Sequence, residues 1–168
     1  MDTRDEVLAM FLDALGIVAT DLRSFDGRKR MQKAIYLLQQ GPFKRDFGFR
    51  YNLYIKGPYS PALANAGYTL LQNPGQWEQV RQHMTLKDDC KRDIEKVRAE
   101  FAQPSGSLDH EMLELAATAH FLMHDTFGYL SDPRQREDKA RQWLETNKPA
   151  LSAEFDQALS RLRHLEMV

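Results

Sequence analysis

The 168-residue sequence has little cysteine, no long apolar run and almost no net charge. Cys90 is the only cysteine, so an intramolecular disulfide and a cysteine-rich zinc site are excluded. No apolar run approaches the roughly 20 residues that a membrane-spanning helix needs. The start of the chain, residues 1–6, is polar and acidic and differs from a signal peptide. We therefore expect a cytoplasmic protein.

The sequence also lacks the motifs of common enzyme classes. It contains no GxSxG nucleophile elbow, no P-loop, no GxGxxG dinucleotide fingerprint and no CxxC pair. Cys90 lies on the apolar stripe of a predicted helix, which is typical of a small core residue rather than a nucleophile. We therefore expect no enzymatic activity, no catalytic residue, no cofactor and no metal ion.

Helical periodicity dominates what the sequence does contain. Hydrophobic residues make up 42% and charged residues 28%, the balance of one globular domain. The first helix is predicted to follow a Thr3–Glu6 capping box, the second to span residues 27–40 with Asp26 as N-cap, and the third to follow Ser60-Pro61. Four more helices are predicted: over residues 85–103, over 108–127, from residue 133 onward, and over 149–165. Because the 108–127 helix is apolar on nearly all sides, it needs neighbours. We expect a single domain over 1–168, with 108–168 packed on the same core.

One segment shows strand periodicity. Phe47, Phe49, Tyr51, Leu53 and Ile55 alternate with more polar residues, which predicts a strand with its odd positions facing the core. A partner strand is expected within residues 77–86, and Gly57-Pro58 is expected to form a turn. The predicted fold class is mainly α with a small antiparallel β element. The expected core includes Phe11, Met31, Ile35, Leu38, Phe49, Tyr51, Leu53, Leu63, Leu70, Leu115, Ala119, Leu122, Trp143 and Leu159.

Positive charge is concentrated between residues 28 and 56, although the net charge of the chain is −1. The segment contains one acidic residue, Asp46, and the basic residues Arg28, Lys29, Arg30, Lys33, Lys44, Arg45, Arg50 and Lys56. A basic block in an otherwise acidic chain is typical of a surface that meets phosphate or an acidic partner. The periodicity places Lys29, Gln32, Lys33, Tyr36 and Gln40 on an exposed helix face.

Two histidines, His120 and His124, have the i, i+4 spacing that can place two imidazoles on one metal ion. No glutamate follows His120 in the position of an HExxH motif, and no third ligand is evident. Buried or interface histidines bonded to backbone carbonyls are the better interpretation.

Three runs of sequence together resemble one family. They are Lys29-Arg30-Met31-Gln32-Lys33-Ala34-Ile35-Tyr36-Leu37-Leu38-Gln39, Phe47-Gly48-Phe49-Arg50-Tyr51, and Lys56-Gly57-Pro58-Tyr59-Ser60-Pro61-Ala62-Leu63. The chain is similar to the Panacea (SocA-like) family, and its Gly-Pro-Tyr-Ser form resembles the YwgA-like branch. The run 113–122 resembles that branch more loosely.

The resemblance implies a small helical domain without catalytic residues. Several members of that family act as antitoxins that bind and neutralise toxins. One acts as an adaptor that delivers its toxin to a protease, and others lie near phage-defence genes. The expected function is therefore a protein-binding module of antitoxin or phage-defence-accessory type, with partner-binding residues Lys29, Gln32, Lys33, Tyr36, Tyr54 and Tyr59.

A different class of function stays open beside it. A basic helix followed by an aromatic strand and a Gly-Pro turn is also typical of the winged-helix fold, here in the N-terminal half. The alternative is then a dimeric DNA-binding transcriptional regulator, with nucleic acid bound by Lys29, Lys33, Lys44, Arg45 and Arg50.

Overall fold

Nine α-helices and one antiparallel hairpin make up the structure, a computed structural model that describes residues 1–168. In chain order the elements are α1 Thr3–Ala14, α2 Phe25–Gln39, β1 Asn52–Tyr54, β2 Gly57–Tyr59, α3 Pro61–Gln72, α4 Pro74–His83, α5 Asp88–Phe101, α6 His110–Phe121, α7 Pro133–Asn147, α8 Pro149–Ser152 and α9 Phe155–His164. A 3₁₀ turn precedes α2 at residues 21–23, and a π-helical turn continues α6 over residues 122–126. The predicted fold class is confirmed.

Side-chain caps set the starts of the first three helices. The capping box of α1 is formed by Asp2 and Asp5, one residue earlier than the predicted Thr3–Glu6 pair. Ser24, not Asp26, caps α2, because its hydroxyl accepts from the Gly27 N–H at 3.0 Å. Ser60 caps α3 ahead of Pro61, as predicted.

The β element is shorter than predicted and has a different partner. β1 pairs with β2, with Leu53 opposite Pro58, so the segment expected to be a turn is itself a strand. The expected partner strand at 77–86 is wrong, because α4 covers most of it and buries Trp77 and Val80 at helical spacing. The alternation predicts burial at Phe47 and Phe49 but fails at Ile55, which is 86% exposed at the tip of the hairpin.

The C-terminal helices are also more divided than the sequence indicates. The predicted helix over 85–103 is α5, which is shorter at both ends. The predicted helix over 108–127 is α6 and its π-helical turn. The predicted last helix is broken at residues 153–154 into α8 and α9. Residues 104–107 form a loop, and the predicted helix from Pro133 is present with Asp132 as its cap.

One continuous cluster of 42 buried residues runs from Leu8 to Met167 and forms the core. Helix α6 lies at its centre, packed against α2 on one side and α9 on another. Of the predicted core residues, only Tyr51, Leu53 and Trp143 are half-buried rather than buried. None of the helices has both the length and the apolar character required to cross a bilayer.

Candidate functional site

The helix face that the sequence predicts to be exposed is largely buried. Lys29 is 8% exposed, Gln32 3%, Lys33 2% and Tyr36 3%. The prediction is wrong because α6 and the hairpin pack over this face of α2, a long-range arrangement that helical periodicity does not contain. Only Gln40, at the end of the face, keeps partial exposure.

Two of these buried side chains bind the backbone of the hairpin. The Gln32 amide nitrogen donates to the Ser60 carbonyl, and the Gln32 amide oxygen accepts from the Ser60 N–H, both at 2.9 Å. The Lys33 ammonium donates to the Pro58 carbonyl at 2.7 Å. Buried backbone groups outside a regular ladder need such partners. The Gln-Lys pair of α2 and the Gly-Pro-Tyr-Ser segment are therefore one structural unit.

Gly57 permits the close approach within that unit. It has a φ of +93°, a conformation that side-chain-bearing residues rarely adopt. A Cβ at this position would lie 2.5 Å from the Thr118 hydroxyl of α6 and 3.4 Å from the Lys33 side chain. The hairpin can therefore contact α2 and α6 here only with glycine.

A group of four charged side chains lies beneath the hairpin, and we call it the lysine cluster: Lys29, Lys33, Glu114 and Lys148. The Glu114 carboxylate lies 3.8 Å from the Lys29 ammonium and 3.9 Å from that of Lys148, and all three side chains are less than 10% exposed. Both distances exceed hydrogen-bond length. Glu114 Oε1 has no hydrogen-bond partner in the protein. One carboxylate thus faces three ammonium groups.

Burial shifts the pKa values of two lysines in the lysine cluster. Burial lowers the pKa of Lys33 from 10.5 to about 7; the nearby Glu114 carboxylate opposes this shift, and the Lys29 and Lys148 charges add to it. Burial also lowers the pKa of Lys148, again with Glu114 opposing the shift. Burial therefore destabilises the protonated forms, although each ammonium donates to a hairpin carbonyl, Lys33 to Pro58 and Lys148 to Ile55.

The lysine cluster borders a cavity of about 380 Å³ between α2, α3 and the hairpin. Four basic side chains and no acidic side chain line the cavity. The basic residues are Arg28, Lys29, Lys33 and Lys56, the aromatic residues are Phe25, Tyr54, Tyr59 and Tyr68, and the remaining lining residues are Met31, Gln32, Ile55, Gly57 and Ala64. We call this cavity the basic-aromatic cleft. Its volume is within the range of pockets that bind small molecules or inserted side chains.

Exposed apolar side chains surround the mouth of the cleft. Phe25 is 54% exposed, Tyr54 49%, Ile55 86% and Tyr68 53%. The Tyr54 and Tyr59 rings pack edge-to-face with centroids 5.1 Å apart, which orders one wall. Scattered exposed apolar residues are ordinary on proteins, but a cluster around one cavity is typical of an interaction site.

The cleft brings together five of the six predicted partner-binding residues: Lys29, Gln32, Lys33, Tyr54 and Tyr59. The sixth, Tyr36, does not line the cleft and packs against Tyr51 and His120 instead. Sequence reasoning missed Phe25, Ile55 and Tyr68, because it assigned Ile55 to the core face of the strand and no local pattern singles out Phe25 or Tyr68. It also missed the lysine cluster, although Glu114 on an otherwise apolar helix was a signal for a buried charge.

The residues predicted to bind nucleic acid do not form one surface. Lys29 and Lys33 border the cleft, whereas Lys44, Arg45 and Arg50 lie outside it, in the chain segment that connects α2 to β1. The Arg45 guanidinium is held by two carboxylates of α5, with Asp93 at 2.6 Å and Asp89 at 3.2 Å. Only Lys44 and Arg50 are exposed.

A second polar group, the tyrosine–histidine cluster, consists of buried Tyr36 and His120, half-buried Tyr51 and exposed His124. The Tyr36 hydroxyl and His120 Nδ1 share a hydrogen bond of 2.8 Å, and the two imidazoles are stacked with centroids 4.2 Å apart. His124 Nε2 is 2.9 Å from the Met167 carbonyl. Burial, with a smaller effect of His124, lowers the pKa of His120 to about 3, so His120 is neutral. No three His, Cys, Asp or Glu side chains are grouped closely enough to hold a metal ion.

Comparison with known proteins identifies no relative. No family model matches the chain, and neither the curated proteins nor the solved structures contain a match. The resemblance to the Panacea family stays a prediction.

Proposed function

We propose that this protein is a non-catalytic protein-binding module of antitoxin or phage-defence-accessory type, which recognises an acidic segment of its partner in the basic-aromatic cleft. The observation that carries the proposal is the gathering of four exposed apolar side chains around a cavity with four basic side chains and no acidic one.

Charge complementarity and apolar area point to the same kind of occupant. Aromatic side chains that surround a cavity supply most of the binding free energy in protein interfaces. Basic side chains at the same place favour carboxylates and disfavour basic segments. The partner segment is therefore one that inserts an aromatic or aliphatic side chain flanked by aspartate or glutamate.

The resemblance of residues 29–39 and 56–63 to the Panacea family supports a role in binding another protein. The alternative, a winged-helix-like DNA-binding regulator, has less support. Its basic residues are divided between the cleft and the outer face, and Arg45 is neutralised by Asp89 and Asp93. The cleft, by contrast, is a preformed cavity of a size that suits an inserted side chain.

The test is affinity capture from the source organism with the tagged full chain, with and without nuclease, read by mass spectrometry. The cleft variant replaces Ile55 by Ser and Tyr68 by Ser. Both side chains are more than half exposed, so the variant keeps its fold. The matched control is Tyr129→Ser, because Tyr129 is 77% exposed and does not line the cleft.

The expected result is a protein that the wild type and the Tyr129 variant retain after nuclease treatment and that the cleft variant loses. The proposal is wrong if the cleft variant retains the same proteins as the wild type. It is also wrong if all retained protein disappears with nuclease, which is the result that the DNA-binding alternative predicts.

A further inference from the structure

The Lys29 ammonium makes no hydrogen bond within the protein, although its side chain is largely buried. Its side chain is 7% exposed, and its carboxylate partner, Glu114 Oε1, lies 3.8 Å away, beyond hydrogen-bond distance. An ammonium has three N–H donors, and leaving them unsatisfied in a buried place is costly. Lys29 lines the cleft, so water or a ligand that occupies the cavity can supply acceptors to its ammonium.

Two more cations border the same space, one exposed and one held by the backbone. Lys56, next to the hairpin tip, is exposed. Arg28 is fixed by donating from Nη1 to the carbonyls of Leu22 at 3.2 Å and Arg23 at 3.0 Å. With Lys29 and Lys33 they surround a cavity that has no anionic side chain in its lining. Such an arrangement favours a compact group with more than one negative charge, which is what a phosphate monoester carries near pH 7.

The other walls of the cleft are aromatic. Tyr54 and Tyr59 form one wall, and Phe25 and Tyr68 lie on the helices across the cavity. A planar heterocycle can stack on such rings, and base–aromatic stacking tolerates every nucleobase. The volume of about 380 Å³ is within the range that small ligands occupy.

We propose that the basic-aromatic cleft is a binding site for a phosphorylated nucleoside, with the phosphate on Lys29 and Lys56 and the base stacked between the hairpin tyrosines and the helices α2 and α3. The proposal rests on the proposed function only in using the same cleft. A nucleotide there excludes the partner segment, so it acts as a competitor of partner binding. The phosphorylated nucleoside can be a free mononucleotide or the 5′ end of a single strand.

Calorimetric titration of the full chain tests the site with four probes: AMP, adenosine, inorganic phosphate and a 5′-phosphorylated tetranucleotide. We expect AMP or the tetranucleotide to bind, with adenosine and phosphate each at least about tenfold weaker, because each makes half of the contacts. Tyr54→Ala should weaken binding about tenfold by loss of stacking. Lys56→Gln should weaken AMP binding about two- to fivefold and leave adenosine unchanged.

The matched controls are Tyr129→Ala and Lys87→Gln, exposed residues outside the cleft. The proposal is overturned if neither phosphorylated probe binds with a Kd below about 1 mM, if adenosine binds as well as AMP, or if the controls weaken binding as much as the cleft variants. Binding of AMP but not of the tetranucleotide, or the reverse, identifies the source of the nucleotide.

Failure here is distinguishable from failure of the proposed function. If no nucleotide binds but partner capture depends on Ile55 and Tyr68, only the nucleotide site is wrong. If AMP binds and the captured proteins do not depend on these residues, the protein-binding proposal is wrong.

Discussion

The same two helices, α2 and α6, contribute side chains to both polar clusters, and the clusters differ in charge. In the lysine cluster, α2 contributes Lys29 and Lys33 and α6 contributes Glu114, so that ammonium groups outnumber carboxylates. In the tyrosine–histidine cluster, α2 contributes Tyr36 and α6 contributes His120, and both are neutral. The first borders the largest concentration of exposed aromatic residues in the protein. An excess of one charge in a largely buried place is costly unless a partner or ligand compensates it, which supports the proposed binding role of the cleft.

Removing the only carboxylate of the lysine cluster should have the largest effect. In Glu114→Gln the volume is kept, but three ammonium groups lose their one counter-charge. We expect a loss of about 3–5 kcal/mol in the free energy of unfolding at pH 7. Urea denaturation measures it, with Glu111→Gln, an exposed position of the same helix, as a control that changes stability little. A loss below about 1 kcal/mol would show that the cluster is solvated.

Loss of the hydrogen bonds between Gln32 and Ser60 should have the next largest effect on the free energy of unfolding. Gln32→Leu leaves the buried Ser60 N–H and carbonyl without partners, at a cost of about 2 kcal/mol or more. Gln39 is a matched control, because it makes the same two-way bond with the Phe49 backbone but is only half-buried. Gln39→Leu should therefore cost less in urea denaturation, since water can replace the lost amide. Equal costs would contradict a buried unit between α2 and the hairpin.

Two glycines with nearly the same φ distinguish the cost of backbone strain from the cost of steric crowding. Gly57 has a φ of +93° and Gly106 a φ of +91°, but a Cβ at Gly106 would have no atom within 4 Å. Gly106→Ala should cost about 1 kcal/mol from conformation alone, and Gly57→Ala should cost more, because the methyl group meets Thr118. Thermal unfolding of both variants gives the difference. If the two variants unfold at the same temperature, the close approach of the hairpin to α6 is not required.

The tyrosine–histidine cluster should change the stability of the protein only at acidic pH. The pKa of His120 is about 3 in the folded protein and about 6.5 in the unfolded chain, so the unfolded state alone binds a proton between these values. Stability from this group is fully present above pH 6.5 and is lost as the pH falls. We expect the wild type to lose about 1 kcal/mol more than His120→Gln between pH 7 and pH 5.5. Replacement of the exposed His83 by Gln is the control, and equal losses in wild type and the His120 variant would contradict a buried neutral imidazole.

The local part of the fold could be predicted, and the long-range part could not. Ser60-Pro61 predicts the start of α3, because cap and proline act on neighbouring atoms. The burial of α2 depends on α6, about 80 residues later, and no local pattern contains that contact. Lysines on one stripe therefore predict a solvated face, although Lys33 is buried against the Pro58 carbonyl.

The same limit applies to the candidate site. The motif residues Gln32, Lys33, Gly57 and Pro58 could be selected from the sequence, but their joint role in holding the hairpin could not. Ile55 continues an alternating pattern, yet it lies at a hairpin tip where no core faces it. Phe25 follows the Ser24 cap and is exposed, because the helix starts two residues earlier than Asp26 predicts.

The most direct test of the uncompensated charge is an NMR titration of the Lys33 side chain, followed at its Cε and assigned with Lys33→Arg. The account predicts a pKa of about 7 in the free protein, well below 10.5, and an increase when AMP is added. A Lys33 that titrates near 10.5 in the free protein would contradict it, because the Lys33 ammonium would then be no less stable in the lysine cluster than in water.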